Sequence, residues 1–126
     1  MKRIDAIYVT IGVVYLVVGM VLGIVMGTRQ DFQLAPVHAH LNLVGFVSHC
    51  VFGLVHRVWP ALRAGVIATV QFWLFVLGSP LFVAGIAVSI LGGTIILAVI
   101  GSILVLVGAL LFLVMMLRTG LTPEAV

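Results

Sequence analysis

PVHAHLNLVGFVSHCVFGLVHRVWP, residues 36–60, holds all four histidines of a chain in which only 7% of residues are charged. It opens on Pro36, which suits a first helical turn because the N–H it lacks has no intrahelical partner there. It closes on Trp59-Pro60, an aromatic suited to a membrane–water interface followed by a helix stop. Between these ends the run is long and apolar enough to span a bilayer. Imidazole inside such a helix is expensive to bury unless it has a partner or a metal. Cofactor binding or chemistry in this protein is therefore expected along this stretch.

The rest of the chain supports a membrane reading. Its 126 residues are 64% hydrophobic, which excludes a disordered chain and argues against an ordinary soluble domain. Apolar runs over residues 5–27, 36–59, 65–91 and 94–117 each reach spanning length, so the fold class is all-α: one four-helix transmembrane domain, residues 1–126, in contact with the lipid bilayer. The formal charge of +3 comes from loop and terminal Lys and Arg, with no basic clusters interleaved with aromatics, so no nucleic-acid partner is expected. Cys50, the single cysteine, falls mid-span; it precludes an internal disulfide and is expected to pack as a small apolar residue. Lys2 and Arg3 resemble the positive flank of a signal peptide, but the apolar run is too long and lacks a small-x-small cleavage site, which predicts a retained helix.

Within the spans, Gly19, Gly23 and Gly27 lie four residues apart on one helix face, predicting a close helix–helix contact. Gly78-Ser79-Pro80 predicts a kink rather than a break, because neither half of the third span could cross alone, and Gln71 is its main buried polar side chain. Gly92-Gly93 predicts a tight turn, and the tail from Arg118 to Val126 is expected to fray. Lys2, Arg3, Arg57, Arg63 and Arg118 fall on one side of this layout and Arg29 alone on the other. By the positive-inside rule both termini are cytoplasmic, and the expected setting is a bacterial inner membrane with the Pro36 end of the second span facing outward.

At about 100° per residue, His38 and His40 point to nearly opposite faces, while His49 and His56 return to within about 20° of the His38 face, alongside Asn42 and Gly45. At ~1.5 Å per residue, His49 lies roughly 16 Å and His56 roughly 27 Å along the axis from His38. No two histidines of one copy of this helix can therefore share a metal ion. His56, next to Arg57, is expected to snorkel at the interface as a hydrogen-bonding group. His49 is either a buried hydrogen-bonding group or a further ligand or proton relay. A pair of imidazoles facing apart suits a helix serving two sites. Haem takes an axial imidazole from each of two helices, an apolar slot, and a glycine that allows close approach. This assigns His38 and His40 as axial ligands and Asn42 and Gly45 as neighbours of the slot. Since only one helix carries histidine, a bis-histidine haem needs a second subunit.

The segment His38-Ala-His40-Leu-Asn-Leu-Val-Gly45-Phe46 resembles the histidine-bearing helix segments of the haem–copper oxidase subunit I superfamily, including its small four-helix members. The likeness covers about 25 mostly apolar residues, and only His38 and His40 carry over by match. In that family one helix bears two histidines separated by one residue, serving haems on its two sides. The resemblance also implies an assembly. The family's catalytic subunit is a twelve-helix body built from three four-helix arcs, and this chain looks like one arc. Three copies would then rebuild the ring as a homotrimer, with a haem b at each subunit interface between His38 of one copy and His40 of the next.

The departures from that family decide against an oxidase. The copper-site histidines, the adjacent His-His pair and the cross-linked tyrosine have no counterpart here. The only carboxylates are Asp5, Asp31 and Glu124, all near ends or loops. The expected function is therefore a non-enzymatic haem b protein for electron transfer, with a respiratory redox partner, or for sensing haem or a diatomic gas. Two alternatives stand beside it. One is copper or zinc binding or transport through His38, His40 and His49 of neighbouring subunits. The other is a structural partner of a respiratory complex whose histidines are merely hydrogen-bonded.

Overall fold

The computed structural model describes residues 3–119. Lys2 and the tail from residue 120, including Glu124, lie outside the described residues. Four helices are long and apolar enough to cross a membrane: α1 (Ile4–Arg29), α2 (Ala35–Val58), α3 (Val66–Ile90) and α4 (Ile96–Thr119). No strand occurs among the described residues. The lengths of 26, 24, 25 and 24 residues correspond at ~1.5 Å per residue to more than the ~30 Å of a bilayer's hydrocarbon. Large aliphatic side chains such as Val14, Ile24, Leu54, Leu77 and Leu106 cover the outside, as expected of helices solvated by lipid. The chain is an all-α, four-helix membrane protein. Its mean hydropathy is lowest in α2, at 1.4 against 2.1–3.0 in the other three helices.

Local signals set the ends. Gln30 adopts the left-handed conformation that closes α1. Pro36 sits in the first turn of α2, and Trp59-Pro60 ends it, passing into a 3-10 turn over Pro60–Arg63. Helix α3 runs on through Pro80 without a break. Gly92, at φ 89°, makes the turn into α4, whose start is held by Thr94 Oγ1 accepting from the Ile96 N–H at 3.2 Å. Helix α4 continues to Thr119, so Arg118, expected in a frayed tail, belongs to its last turn.

Two kinds of contact join the helices. Between α3 and α4 the backbones meet at glycines: a Cβ on Gly85 would strike the Ala98 backbone, and one on Gly101 the Phe82 backbone. Small residues allow this close van der Waals approach, which drives helix association in lipid. Between α1 and α2, Gly19 packs on the Asn42 amide and Gly23 on the His38 ring. Gly27, the third glycine of that stripe, has open space beside it. The interior that α1, α2 and α3 share sets a few buried polar side chains, His49, His56, Gln71 and Ser79, among apolar and aromatic ones.

One departure from regularity shapes everything below. Leu41–Val47, in the middle of α2, is a π-helix. Its wider turns advance each residue by less than the ~100° of an α-helix, so across the segment α2 falls behind by roughly one residue's rotation. The wide turns also leave carbonyls to side chains five residues on: Ser48 Oγ donates to Leu43 O at 2.8 Å, and His49 Nδ1 donates to Val44 O at 3.1 Å.

Candidate functional site

The N-terminal turns of α2 hold His38 and His40, each half-buried. His38 points at α1, where its Nδ1 lies 2.9 Å from Gly19 O. His40 leans towards α3, its ring edge-on to Phe82 at 5.1 Å, with Nδ1 2.7 Å from Pro36 O. A carbonyl can only accept, so in the neutral form each ring carries its proton on Nδ1 and has its lone pair on Nε2. This is the tautomer of a metal-bound imidazole, whose other nitrogen is held by a hydrogen bond that fixes the ring. Nε2 of His40 makes no hydrogen bond among the described residues. Nε2 of His38 has only the Asn42 amide at 3.5 Å, and that amide's better bond, 2.8 Å, goes to the His38 carbonyl.

Of the two neighbours expected to line a haem slot, Asn42 keeps its amide 3.5 Å from His38 Nε2, whereas Gly45 has no open space beside it. Asn42 faces Gly19 of α1, and Gly45 is covered by the Tyr15 ring of α1. Both are packed inside the α1–α2 contact, and a tyrosine from the same chain fills the space the glycine leaves. Nor do His49 and His56 share the His38 face. The lag across the π-helix turns them into the bundle, where both are fully buried.

There the histidines form two rungs, seven residues apart on α1 and on α2. In the first rung, Tyr15 of α1, Ser79 of α3 and His49 of α2 make a directional chain. Because His49 Nδ1–H donates to Val44 O, its Nε2 must accept; the Ser79 hydroxyl donates to it across 3.4 Å and accepts from Tyr15 OH at 3.1 Å. Both nitrogens of His49 are thus engaged by groups of the same chain. The second rung comprises Tyr8, Gln71 and His56. Tyr8 OH donates to Gln71 Oε1 at 2.8 Å, and the Tyr8 ring stacks on His56 at 5.8 Å and 10°. Phe112 of α4 meets His56 edge-on at 5.5 Å. His56 does not snorkel beside Arg57: the two point in opposite senses, Arg57 outward and His56 inward, and neither His56 nitrogen has a hydrogen-bond partner.

Below this rung the buried carboxylate of Asp5 joins Arg57 at 3.1 Å and Arg63 at 3.7 Å. It ties the start of α1 to the end of α2 and the 3-10 turn. Trp59, expected as an interfacial aromatic, packs with Leu62, Ala68 and Met115 and turns its indole nitrogen inward. Cys50 packs its Sγ over Gly12 of α1, as a small apolar residue would.

Sequence reasoning anticipated Gln71 as a buried polar group but missed Tyr8, Tyr15, Ser79 and Asp5 as its companions. The available signal was the shared seven-residue spacing of Tyr8 to Tyr15 and of His49 to His56. Comparison of the chain with protein-family models, with curated proteins and with solved structures finds no match. Among the described residues no group of three or more His, Cys, Asp or Glu side chains is placed to hold a metal ion. What one chain offers is two separate imidazoles in a ligand-ready tautomer, on different sides of one helix.

Proposed function

We propose that this chain is a membrane haem b protein in which His38 of one copy and His40 of a neighbouring copy supply the two axial nitrogens. The observation that carries this reading is the carbonyl bond on Nδ1 of both rings, with Gly19 and with Pro36, which leaves Nε2 of His40 unpartnered and Nε2 of His38 with only the long Asn42 contact at 3.5 Å. Because His38 faces α1 and His40 faces α3, one chain cannot close both axial positions, and a cyclic assembly, read as a homotrimer, supplies the second ligand. The resemblance of residues 38–46 to the haem–copper oxidase subunit I superfamily supports the same arrangement.

A bound haem supplies one-electron exchange at its iron. The protein's own part is to hold both rings in the coordinating tautomer and to surround them with hydrocarbon. Two histidine ligands leave no open axial position, so electron transfer with a respiratory partner is favoured over sensing of haem or a diatomic gas. The cluster of Arg3, Arg57, Arg63 and Arg118 opposite Arg29 supports cytoplasmic termini in a bacterial inner membrane.

Copper or zinc is the second reading. It needs three or four donors, and no group of three is assembled among the described residues of one chain, so further copies would have to converge. A purely structural role in a respiratory complex leaves the unpartnered Nε2 of His40 without a purpose. The test is an absorption spectrum, oxidised and dithionite-reduced, of protein in mild detergent, with a pyridine haemochrome assay. Sharp reduced α and β bands of a low-spin b-type haem are expected. No Soret band after haem is supplied during expression would overturn the reading.

A further inference from the structure

The second rung is short of hydrogen-bond partners in a way the first is not. His56 and Gln71 are fully buried, yet both His56 nitrogens and Gln71 Nε2 are unpartnered, and so is the buried Trp59 Nε1. Turning the Gln71 amide over does not help, because Tyr8 OH can serve only one end of it. In lipid each unsatisfied group costs several kcal/mol, far more than a native bundle leaves uncompensated. Tyr8 and Phe112 cover the His56 ring but not its in-plane nitrogens.

The chemistry of the set defines what fits. Trp59 Nε1 and Gln71 Nε2 only donate, whereas a neutral His56 offers one N–H and one bare nitrogen. The missing partners must accept from the N–H groups and donate to the bare His56 nitrogen. An anion accepts without donating; water does both. The two nitrogens of one imidazole point away from each other, so a single water cannot serve both. We propose that the second rung is a buried hydration site in which at least two water molecules are held by His56 and Gln71, both of which contact Tyr8. The Asp5–Arg57–Arg63 cluster lies at the same end of the bundle, and its Arg57 side chain is 76% exposed. Internal waters characteristically make two to four hydrogen bonds to polar groups of this kind.

This inference does not depend on the haem reading, and its test is separate. Full-length protein with 15N-labelled histidine is reconstituted in lipid bilayers and studied by water-edited solid-state NMR, with sequential assignment of each imidazole. The His56 nitrogens are expected to receive magnetisation from water several-fold faster than those of His49, whose partners all come from the protein. Equal, slow transfer to both rings would overturn the site. In Gln71→Leu, transfer to His56 should fall while His49 stays as it was; an unchanged His56 would overturn the shared geometry.

Discussion

At the N-terminal end of α2, His38 and His40 are half-buried, each with Nδ1 tied to a carbonyl of its own chain; Nε2 of His40 is bare and that of His38 has only the Asn42 amide at 3.5 Å. Further along, His49 and His56 are sealed inside the bundle among tyrosines and phenylalanines. The same side chain on the same helix thus has two environments. At the first end the protein makes one short hydrogen bond to each ring, at Nδ1, and no short one at Nε2. In the interior it uses the ring as a packing element, completing the hydrogen bonds of His49 and leaving those of His56 open. Counting histidines along a helix says nothing of this; what separates the two ends is which nitrogen the protein occupies.

The largest expected effect tests that division directly. His38→Ala and His40→Ala should each abolish the low-spin haem bands in reduced-minus-oxidised spectra, whereas His56→Ala should keep them. A normal spectrum from His40→Ala would break the shared-ligand arrangement. Next comes a change at a residue that is not itself a ligand. A Cβ on Gly23 would lie 2.9 Å from His38 Cε1, so Gly23→Leu should push the ring aside and weaken haem retention in a detergent dilution series. The accompanying overpacking cost is ~1–3 kcal/mol.

Smaller effects belong to the interior. Tyr8→Phe leaves both ends of the buried Gln71 amide without a protein partner and should cost ~1–3 kcal/mol in thermal or denaturant unfolding, with the haem spectrum intact. Tyr15→Phe should cost less, ~0.6 kcal/mol, because Ser79 keeps its bond to His49. A reversed order would mean that the first rung, not the second, carries the polar interior. Arg57→Ala should change stability least, below ~1 kcal/mol, since Arg57 is 76% exposed and Arg63 still faces Asp5.

Much of the architecture is legible in the chain itself. Long apolar runs can satisfy their backbone in lipid only as helices. Pro36, Trp59-Pro60 and Gly92 mark ends because proline lacks an N–H and glycine tolerates positive φ. The opposed directions of His38 and His40 follow from their two-residue spacing, before any irregularity intervenes. Beyond residue 41 the same arithmetic fails. The π-helix over Leu41–Val47 has no signature in composition, and one residue's worth of lag is enough to carry His49 and His56 off the His38 face.

What the sequence by itself determined is therefore the number of spans, their ends, and the placing of all four histidines on one helix, because these depend on local backbone chemistry and on transfer from water to lipid. The tertiary structure alone decided which side chains meet. It set Tyr15 against Gly45 rather than leaving a slot, sealed His56 behind Tyr8 and Phe112, and buried Asp5 between two arginines. Those outcomes depend on helix rotation, and rotation is settled by packing between helices distant in sequence, where a few tens of degrees exchange a lipid-facing residue for a buried one.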